Sequence, residues 1–456
     1  MDKHHENIKL LAEAPIKKVL WKFFLPAFTG IVINSLYNIV DRIFVGQGVG
    51  SLALAGLSVV FPIMIIMMAF GMLIGMGAGV RISIFLGKRD FVQAEKVLGN
   101  AFTLLIVVSI LLTFVGFAIK EPLLRLFGAS QETIGYANQY LNIILLGTLF
   151  HMVGFSLNNM IRSEGNARIA MYSMLISAGT NIILDPIFIF VFGMGVEGVA
   201  WATIISQFIL CIWVIRHFRS RLSVIKLKAS NLQLSRAVIF SIISIGFSPF
   251  SMQLAASLVH GIFNIQLIKH GGDLAVGAMG IINSIAMLMV MSIISINMAA
   301  QPILGFNHGA GNFIRVKRTL FICLKAAVLV SVVGFVVVEL FPSLIIKMFN
   351  ASDPNLLSIG RQGLRIFMLG LPVIGFQIIT GNYFQSTGKA SIAAFISLLR
   401  QVIVLIPILL LLPTFWGITG VWVSSPISDV ISGIISFVFL SREIKRLNKA
   451  IAQNPV

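Results

Sequence analysis

The sequence predicts an all-α integral membrane protein with about twelve transmembrane helices, arranged as two parallel six-helix bundles. Composition is the first of three observations behind this prediction. Of 456 residues, 57% are hydrophobic and 11% are charged, and the mean hydropathy is +0.97. Soluble proteins carry about 25% charged residues. The composition therefore excludes a disordered chain, a secreted disulfide scaffold and an ordinary soluble enzyme.

Long apolar runs are the second observation, and they justify the helices one by one. A membrane-spanning helix needs about 20 apolar residues. Both cysteines, Cys211 and Cys323, fall inside such runs, which excludes a disulfide framework and a Cys-x-x-Cys metal site. In chain order the runs cover residues 19–44, 57–80, 98–119, 136–160, 169–192, 196–216, 237–266, 275–302, 319–341, 358–384, 391–412 and 416–440.

An internal repeat is the third observation. Motifs in the first half recur 222 or 223 residues later, as Phe127-Gly-Ala-Ser does at Phe349-Asn-Ala-Ser. We therefore divide the chain into a first half (1–217), a basic cytoplasmic linker expected to be a flexible joint (218–236) and a second half (237–456). Because each half has an even number of spans, the halves are parallel, and their pseudo-two-fold axis runs along the membrane normal. Such an arrangement is typical of transporters that work by alternating access.

The distribution of Lys and Arg predicts the orientation in the membrane. With both termini in the cytoplasm, the cytoplasmic side receives 27 of the 34 basic residues, including Lys389 and Arg400. Basic residues collect on that side of membrane proteins, so we expect a multi-pass protein of the cell inner membrane. This bias also explains the net charge of +18 without a nucleic-acid partner.

The absence of enzyme and nucleotide motifs limits the activity. The sequence contains no GxxxxGK[ST] phosphate loop, no HExxH and no GxSxG. The Gly71, Gly75 and Gly79 series is instead typical of close helix packing. We therefore expect no enzyme and no cofactor, and transport that draws on an ion gradient.

Acidic residues inside the predicted spans indicate where such an ion would bind. Asp41 and Asp185 lie in the first half and Asp429 in the twelfth span, whereas Glu339 lies at a helix end. Asn34 and Asn38 share a helical face with Asp41, and Asn181 lies one turn before Asp185. The hydroxyls of Tyr140 and Thr203 lie at similar depth. Oxygen ligands alone suit a proton or a hard cation.

Several of these residues also carry a resemblance to a known family. Leu25-Pro26, Asp41, Asn181-Ile-Ile-Leu-Asp185-Pro186-Ile and the segment 195–203 resemble the multidrug and toxic compound extrusion (MATE) transporters. The similarity is to their bacterial and archaeal branch named after the DNA-damage-inducible protein F, and it covers nearly the whole chain.

The resemblance implies export of cationic or amphipathic drugs, driven by inward H+ or Na+. It places the ion site in the first half, at Asp41, Asn181, Asp185 and Thr203, the ligands of Na+ if Na+ is the ion. Pro26 matches the proline at which the first helix bends. Other branches carry acids on the seventh and tenth helices, where this chain has none, and Asp429 is either a second ion site or a buried paired acid. Tyr140 and Asn158 match positions near the ion site.

Substrate contacts and partners complete the predictions. Methionines offer an adaptable cavity wall, and small-molecule drugs and the lipid bilayer are the expected partners of a monomer. The alternative cargo is a lipid-linked saccharide, but a flippase needs cavity arginines for pyrophosphate, and no arginine falls mid-span in the first half. The candidate cavity residues are Met64, Met68, Met287, Met291, Gln253 and His260.

Overall fold

A computed structural model describes residues 9–349 and 354–453, except for the side chains of residues 34–39, 42, 46, 51, 273, 348, 349, 355 and 356. Throughout these described ranges the regular structure is helical. Eight of the described helices are long and apolar enough to cross a membrane, or ten if each of two bent pairs is one span. The predicted all-α, multi-pass fold is therefore confirmed.

The helices of the first half follow the predicted runs. Two features break their regularity: α4 and α5 meet at Gly147 and are bent by 57°, as one broken span, and α6 ends at Pro186 and continues as a π-helix, Ile187–Val191. The helices are α1 (Ile16–Gly48), α2 (Ser51–Gly87), α3 (Phe91–Leu126), α4 (Ile134–Leu146), α5 (Thr148–Ser163), α6 (Ala167–Pro186) and α7 (Gly195–Arg219).

The second half repeats this pattern. Its α12 and α13 form another bent pair, at 44°, and α14 continues as a π-helix, Leu399–Leu405. Gly272 and Gly417 have φ of 65° and 55°, so the helical path breaks at each. The helices are α8 (Arg236–Gly272), α9 (Leu274–Gly309), α10 (Phe313–Leu340), α11 (Pro342–Phe349), α12 (Pro354–Met368), α13 (Leu371–Ser386), α14 (Ala390–Leu398) and α15 (Ile406–Gln453).

Glycines allow α2 to pack closely on two neighbours. The Ser156 hydroxyl of α5 donates to the Gly71 carbonyl oxygen over 2.9 Å, and a Cβ on Gly75 would lie 2.8 Å from Ser156 Cα. On α8, a Cβ on Gly246 would overlap the Leu73 carbonyl oxygen. The predicted role of the glycine series in close packing is thus confirmed for α2.

The connecting segment, residues 220–235, is anchored to the first half. Buried Glu164, just after α5, accepts hydrogen bonds from His217 Nε2 (2.5 Å), Ser223 Oγ (2.7 Å) and the Val224 amide (3.0 Å). Buried Glu95 of α3 accepts from the Lys226 amide and Lys228 Nζ at 3.0 and 2.6 Å. The flexible joint expected from the sequence is therefore not what the structure shows here.

The division into compact units agrees with this anchoring. The first unit runs to Phe250 and the second begins at Ser251, so the boundary falls inside α8 and not in the connecting segment. Asn100 of α3 holds the end of the segment, accepting from the Ser235 amide at 2.7 Å and donating to the Asn231 carbonyl oxygen at 3.2 Å. The start of α8 thus belongs to the first unit.

Candidate functional site

The candidate site of the first unit lies between α1 and α6. The two helices run in the same direction, because Gly30 faces Met174 and, further along both, Phe44 lies edge-on to Phe190 of the π-helix that continues α6. Asp41 lies eleven residues after Gly30, and Asp185 lies eleven after Met174. Equal steps along parallel helices keep the two aspartates at one level.

The two carboxyl groups meet at this level. Each lies within hydrogen-bond reach of the other, and both side chains are buried, at 8% exposure for Asp41 and none for Asp185. Among the described side chains, neither forms an ion pair with Lys, Arg or His. Two carboxylates in contact repel one another, so the pair requires a shared proton or a bound cation.

Asn181 and Thr203 bring further oxygens to the pair. The Asn181 amide donates to Asp185 Oδ1 over 3.4 Å. The Ser177 hydroxyl of α6 donates to the Ser206 carbonyl oxygen of α7 over 3.2 Å. Asn181 lies one turn after Ser177 on α6, and Thr203 lies one turn before Ser206 on α7. Because the two helices are antiparallel, Asn181 and Thr203 therefore lie at the same level.

Four oxygen atoms at this level are buried and have no hydrogen-bond partner. They fit a proton or a hard cation, which takes oxygen ligands. In the described part of the chain no three His, Cys, Asp or Glu side chains cluster in a way that holds a metal ion. The four atoms are Asp41 Oδ1, Asn181 Oδ1, Asp185 Oδ2 and Thr203 Oγ1.

Known families and structures resemble this chain. The family model described as MatE matches the chain twice, over residues 26–187 and 249–411. The chain belongs to the MatE family. The two matches start 223 residues apart, which agrees with the spacing of the internal repeat. The first match contains the whole α1–α6 acid pair.

Curated relatives and solved structures resemble this MatE chain over nearly its full length. "Multidrug export protein MepA" of Staphylococcus haemolyticus is 27% identical over 431 residues, 94% of each chain. The Staphylococcus aureus protein of that name is 26% identical, over 96% of this chain and 97% of its own. "Crystal structure of MATE in the bent conformation" has 25% identity and a TM-score of 0.91, covering 98% and 99%. A structure described as "protein A" has 38% identity and a TM-score of 0.87, covering 93% and 95%.

Tyr140 and Asn158, two further predicted site residues of this MatE protein, have different surroundings. Tyr140 is buried in an apolar cluster with Ala200 and Ile204, which flank Thr203. Asn158 is engaged elsewhere: its amide donates to the Ala170 carbonyl oxygen (2.8 Å), and its Oδ1 accepts from Arg162 (3.0 Å). Ala170 precedes Asp185 by fifteen residues on α6, about 22 Å along the axis. The structure does not bring Asn158 to the acid pair.

The remaining predicted residues do not share one environment. The side chains of Asn34 and Asn38 lie outside the described residues. Pro26 lies within α1, whose helix continues through it. Met287 and His260 are exposed, so nothing in their burial favours a cavity wall over a lipid-facing surface. Met64, Met68, Met291 and Gln253 are half-buried, and their contact with substrate stays a prediction.

Sequence reasoning missed the partner of Asp429. The distribution of basic residues predicts Arg400 on the cytoplasmic side, but the residue lies in the π-helix that continues α14. Its Nε donates to Asp429 Oδ1 over 2.6 Å. Of the two interpretations left open for Asp429, the structure therefore supports the buried paired acid. The available signal was that Arg400 comes ten residues into an apolar run.

Proposed function

We propose that this MatE protein is a secondary active multidrug efflux antiporter, exporting cationic or amphipathic compounds in exchange for H+ or Na+. The staphylococcal relatives, which are named multidrug export proteins, support this proposal. On this proposal the chain works as a monomer in the cell inner membrane with both termini in the cytoplasm. Its partners are small-molecule drugs, and it catalyses no chemical reaction.

The acid pair is the observation on which the proposal rests. Asp41 and Asp185 are buried in contact, without a basic partner among the described side chains, and unpartnered oxygens of Asn181 and Thr203 accompany them. A buried carboxylate needs a proton, a pairing group or an ion. A site that must take up H+ or Na+, and release it again, provides the ion half of an antiport cycle.

Ion binding changes how firmly α1 is held to α6. When a cation or proton lies between the two carboxylates, both are attracted to its positive charge. When it leaves, the two carboxylates repel one another. Pro26 lacks an amide proton and lies about 22 Å from Asp41 along α1, so the helix can bend there at low cost. Two positions of α1, biased by the ion, let ion and drug favour different shapes of the first unit.

Dye efflux from vesicles tests the proposal. An inward H+ gradient and an inward Na+ gradient are imposed in separate experiments, and the one that drives efflux identifies the ion. We expect Asp41→Asn and Asp185→Asn each to abolish gradient-driven efflux in folded, inserted protein. Glu132→Gln, the same chemical change at an exposed position of the first unit, is the matched control. Full efflux from both aspartate variants would contradict the proposal.

The lipid-linked saccharide alternative calls for free cavity arginines. Arg400, the mid-span arginine of the second unit, pairs with Asp429, so its charge is neutralised by the protein itself. This pairing favours drugs over pyrophosphate-linked saccharides as cargo. Transfer of a fluorescent pyrophosphate-linked lipid across the same vesicles, measured beside dye efflux, distinguishes the two cargoes.

A further inference from the structure

The second unit lacks the acid pair of the first. At the repeat spacing of 222–223 residues, Asp41 corresponds to Phe263 or Asn264, and Asp185 corresponds to Pro407 or Ile408. The mid-span acid of the second unit is instead Asp429 on α15, which is fully buried. This carboxylate has no counterpart in the first unit, where Gln207 occupies the equivalent position. Its environment therefore has to be explained separately.

Arg400 supplies a positive charge to Asp429 from within the chain. It lies ten residues beyond the start of α14, about 15 Å into a hydrocarbon core about 30 Å thick. Besides the 2.6 Å bond between Arg400 Nε and Asp429 Oδ1, the Ser428 hydroxyl donates to the Arg400 carbonyl oxygen at 2.7 Å. The two neighbouring bonds fasten the π-helix to α15 and fix the guanidinium beside the carboxylate.

The second carboxylate oxygen of Asp429 lies against the start of α13. A Cβ on Gly370, the residue before α13, would overlap Asp429 Oδ2. The start of a helix carries a partial positive charge, which favours an anion. Asp429 is thus compensated by a guanidinium and by a helix end. The Asp41–Asp185 pair, in contrast, has no basic partner among the described side chains.

We infer that Arg400 is a tethered counter-cation. Its guanidinium neutralises the buried acid of the second unit, Asp429, as a coupling ion neutralises the acid pair of the first. This inference rests on the proposed function, and it assigns coupling-ion binding to the first unit alone. It also predicts a latent cation site. Asp429 Oδ2, Ser432 Oγ one turn further along α15, and Gln401 Oε1 of the residue after Arg400 are buried without hydrogen-bond partners. Loss of the guanidinium would leave the carboxylate without its basic partner. The ligand of this site would be H+ or Na+.

The other basic groups of the elements packed against α15 either pair with another acid or have exposed side chains. Arg365 of α12 donates to Glu339 of α10 over 2.7 Å. Lys389 and Tyr383 both contact Glu443 at the inner end of α15. Arg361 of α12 and Lys325, near the middle of α10, both have exposed side chains. Within the described residues, Arg400 is therefore the cation that faces Asp429.

Thermal unfolding of the purified full chain tests the inference without a transport assay. The melting temperature is measured in Na+ and in choline buffers over a range of pH. The background variant is Asp41→Asn/Asp185→Asn, whose melting temperature we expect to be insensitive to Na+ and whose pH profile serves as the reference. Adding Arg400→Gln should restore a dependence on Na+ or H+, with a shift of about 2–4 °C for a unit of this size. Adding Asp429→Asn as well should remove it.

Arg361→Gln is the matched control, since it removes an exposed arginine of the same unit. It should leave the background insensitive to cations. If Arg400→Gln does not survive purification, its yield of folded protein after solubilisation in Na+ or choline buffer gives the same comparison. A purely structural ion pair would lower stability equally in both buffers, so a cation-independent loss in Arg400→Gln would overturn the inference. The inference would also be overturned if the melting temperature of the background variant itself depended on cations and the Asp429→Asn change, without Arg400→Gln, removed that dependence.

This assay separates the inference from the proposed function. A chain that fails to export dye yet gains cation-dependent stability with Arg400→Gln keeps the tethered counter-cation and loses the antiport proposal. A chain that exports dye with no such gain keeps antiport and loses the counter-cation.

Discussion

Glu164 holds the connecting segment to the first unit, and its removal should release that segment. Glu164→Ala deletes the acceptor of three hydrogen bonds from the segment, donated by the Ser223 hydroxyl and the Val224 and Ile225 amides. It also deletes the acceptor of the bonds from His217 and Asn166. Glu164 is 1% exposed, and each buried donor left unsatisfied costs about 1–3 kcal/mol, so the three donors of the segment together cost about 3–9 kcal/mol. At the lower end of that range, local opening of the segment becomes about a hundredfold more frequent.

Limited trypsin digestion measures this opening directly. Arg221, Lys226 and Lys228 lie within the segment, and a cut there divides the chain into two fragments of nearly equal size. When opening is fast relative to cleavage, the rate of proteolysis follows the population of the open form. We therefore expect Glu164→Ala to be cut at the segment about a hundred times faster than the unmodified protein. Glu164→Gln keeps an acceptor oxygen and should fall between the two.

Glu132→Ala is the control, because it removes an exposed acid of the same unit. It should leave the cleavage rate unchanged. Equal cleavage of the unmodified protein and Glu164→Ala would show that the segment is already open, and the reasoning from its buried hydrogen bonds would then be refuted. An equal acceleration in Glu132→Ala would point to a general loss of stability in place of a local release.

Three further predictions concern coupling, bending and packing. Asp429→Asn should lower the melting temperature, because Arg400 loses its partner, while dye efflux per folded molecule keeps a substantial part of its rate; complete loss of efflux at normal expression would place an ion site in the second unit. Pro26→Ala should stiffen α1 and lower turnover more than drug affinity, both measured on one purified preparation; a sharp fall in affinity with unchanged turnover would mean that Pro26 only shapes the cavity. Gly246→Ala forces a Cβ onto the Leu73 carbonyl oxygen and should destabilise by about 1–3 kcal/mol, whereas Gly280→Ala, which meets open space, should leave the melting temperature equal or higher; equal effects of the two changes would contradict the close contact of α2 and α8.

Properties that depend on position along the chain follow from the sequence alone. Run length and composition predict the spans, because crossing hydrocarbon requires about 20 apolar residues wherever a helix lies in the fold. The repeat at 222–223 residues predicts the duplication, and the two matches of the MatE family agree with it. Asp41, Asp185 and Asp429 could also be singled out, since a carboxylate within an apolar run is costly in any arrangement.

Which of these groups meet depends on how the helices pack in three dimensions. Asp41 and Asp185 are 144 residues apart in the sequence, and their contact depends on the direction, level and rotation of α1 and α6. The family resemblance groups Asn158 with this site, but its side chain meets Ala170, about 22 Å from Asp185 along α6. The distribution of basic residues predicts Arg400 on the cytoplasmic side, whereas the π-helix brings it beside Asp429. The polar connecting segment looked flexible because its anchors, Glu95 and Glu164, lie on helices distant in sequence. Pairing between helices is set by packing in three dimensions, which run length and spacing do not encode.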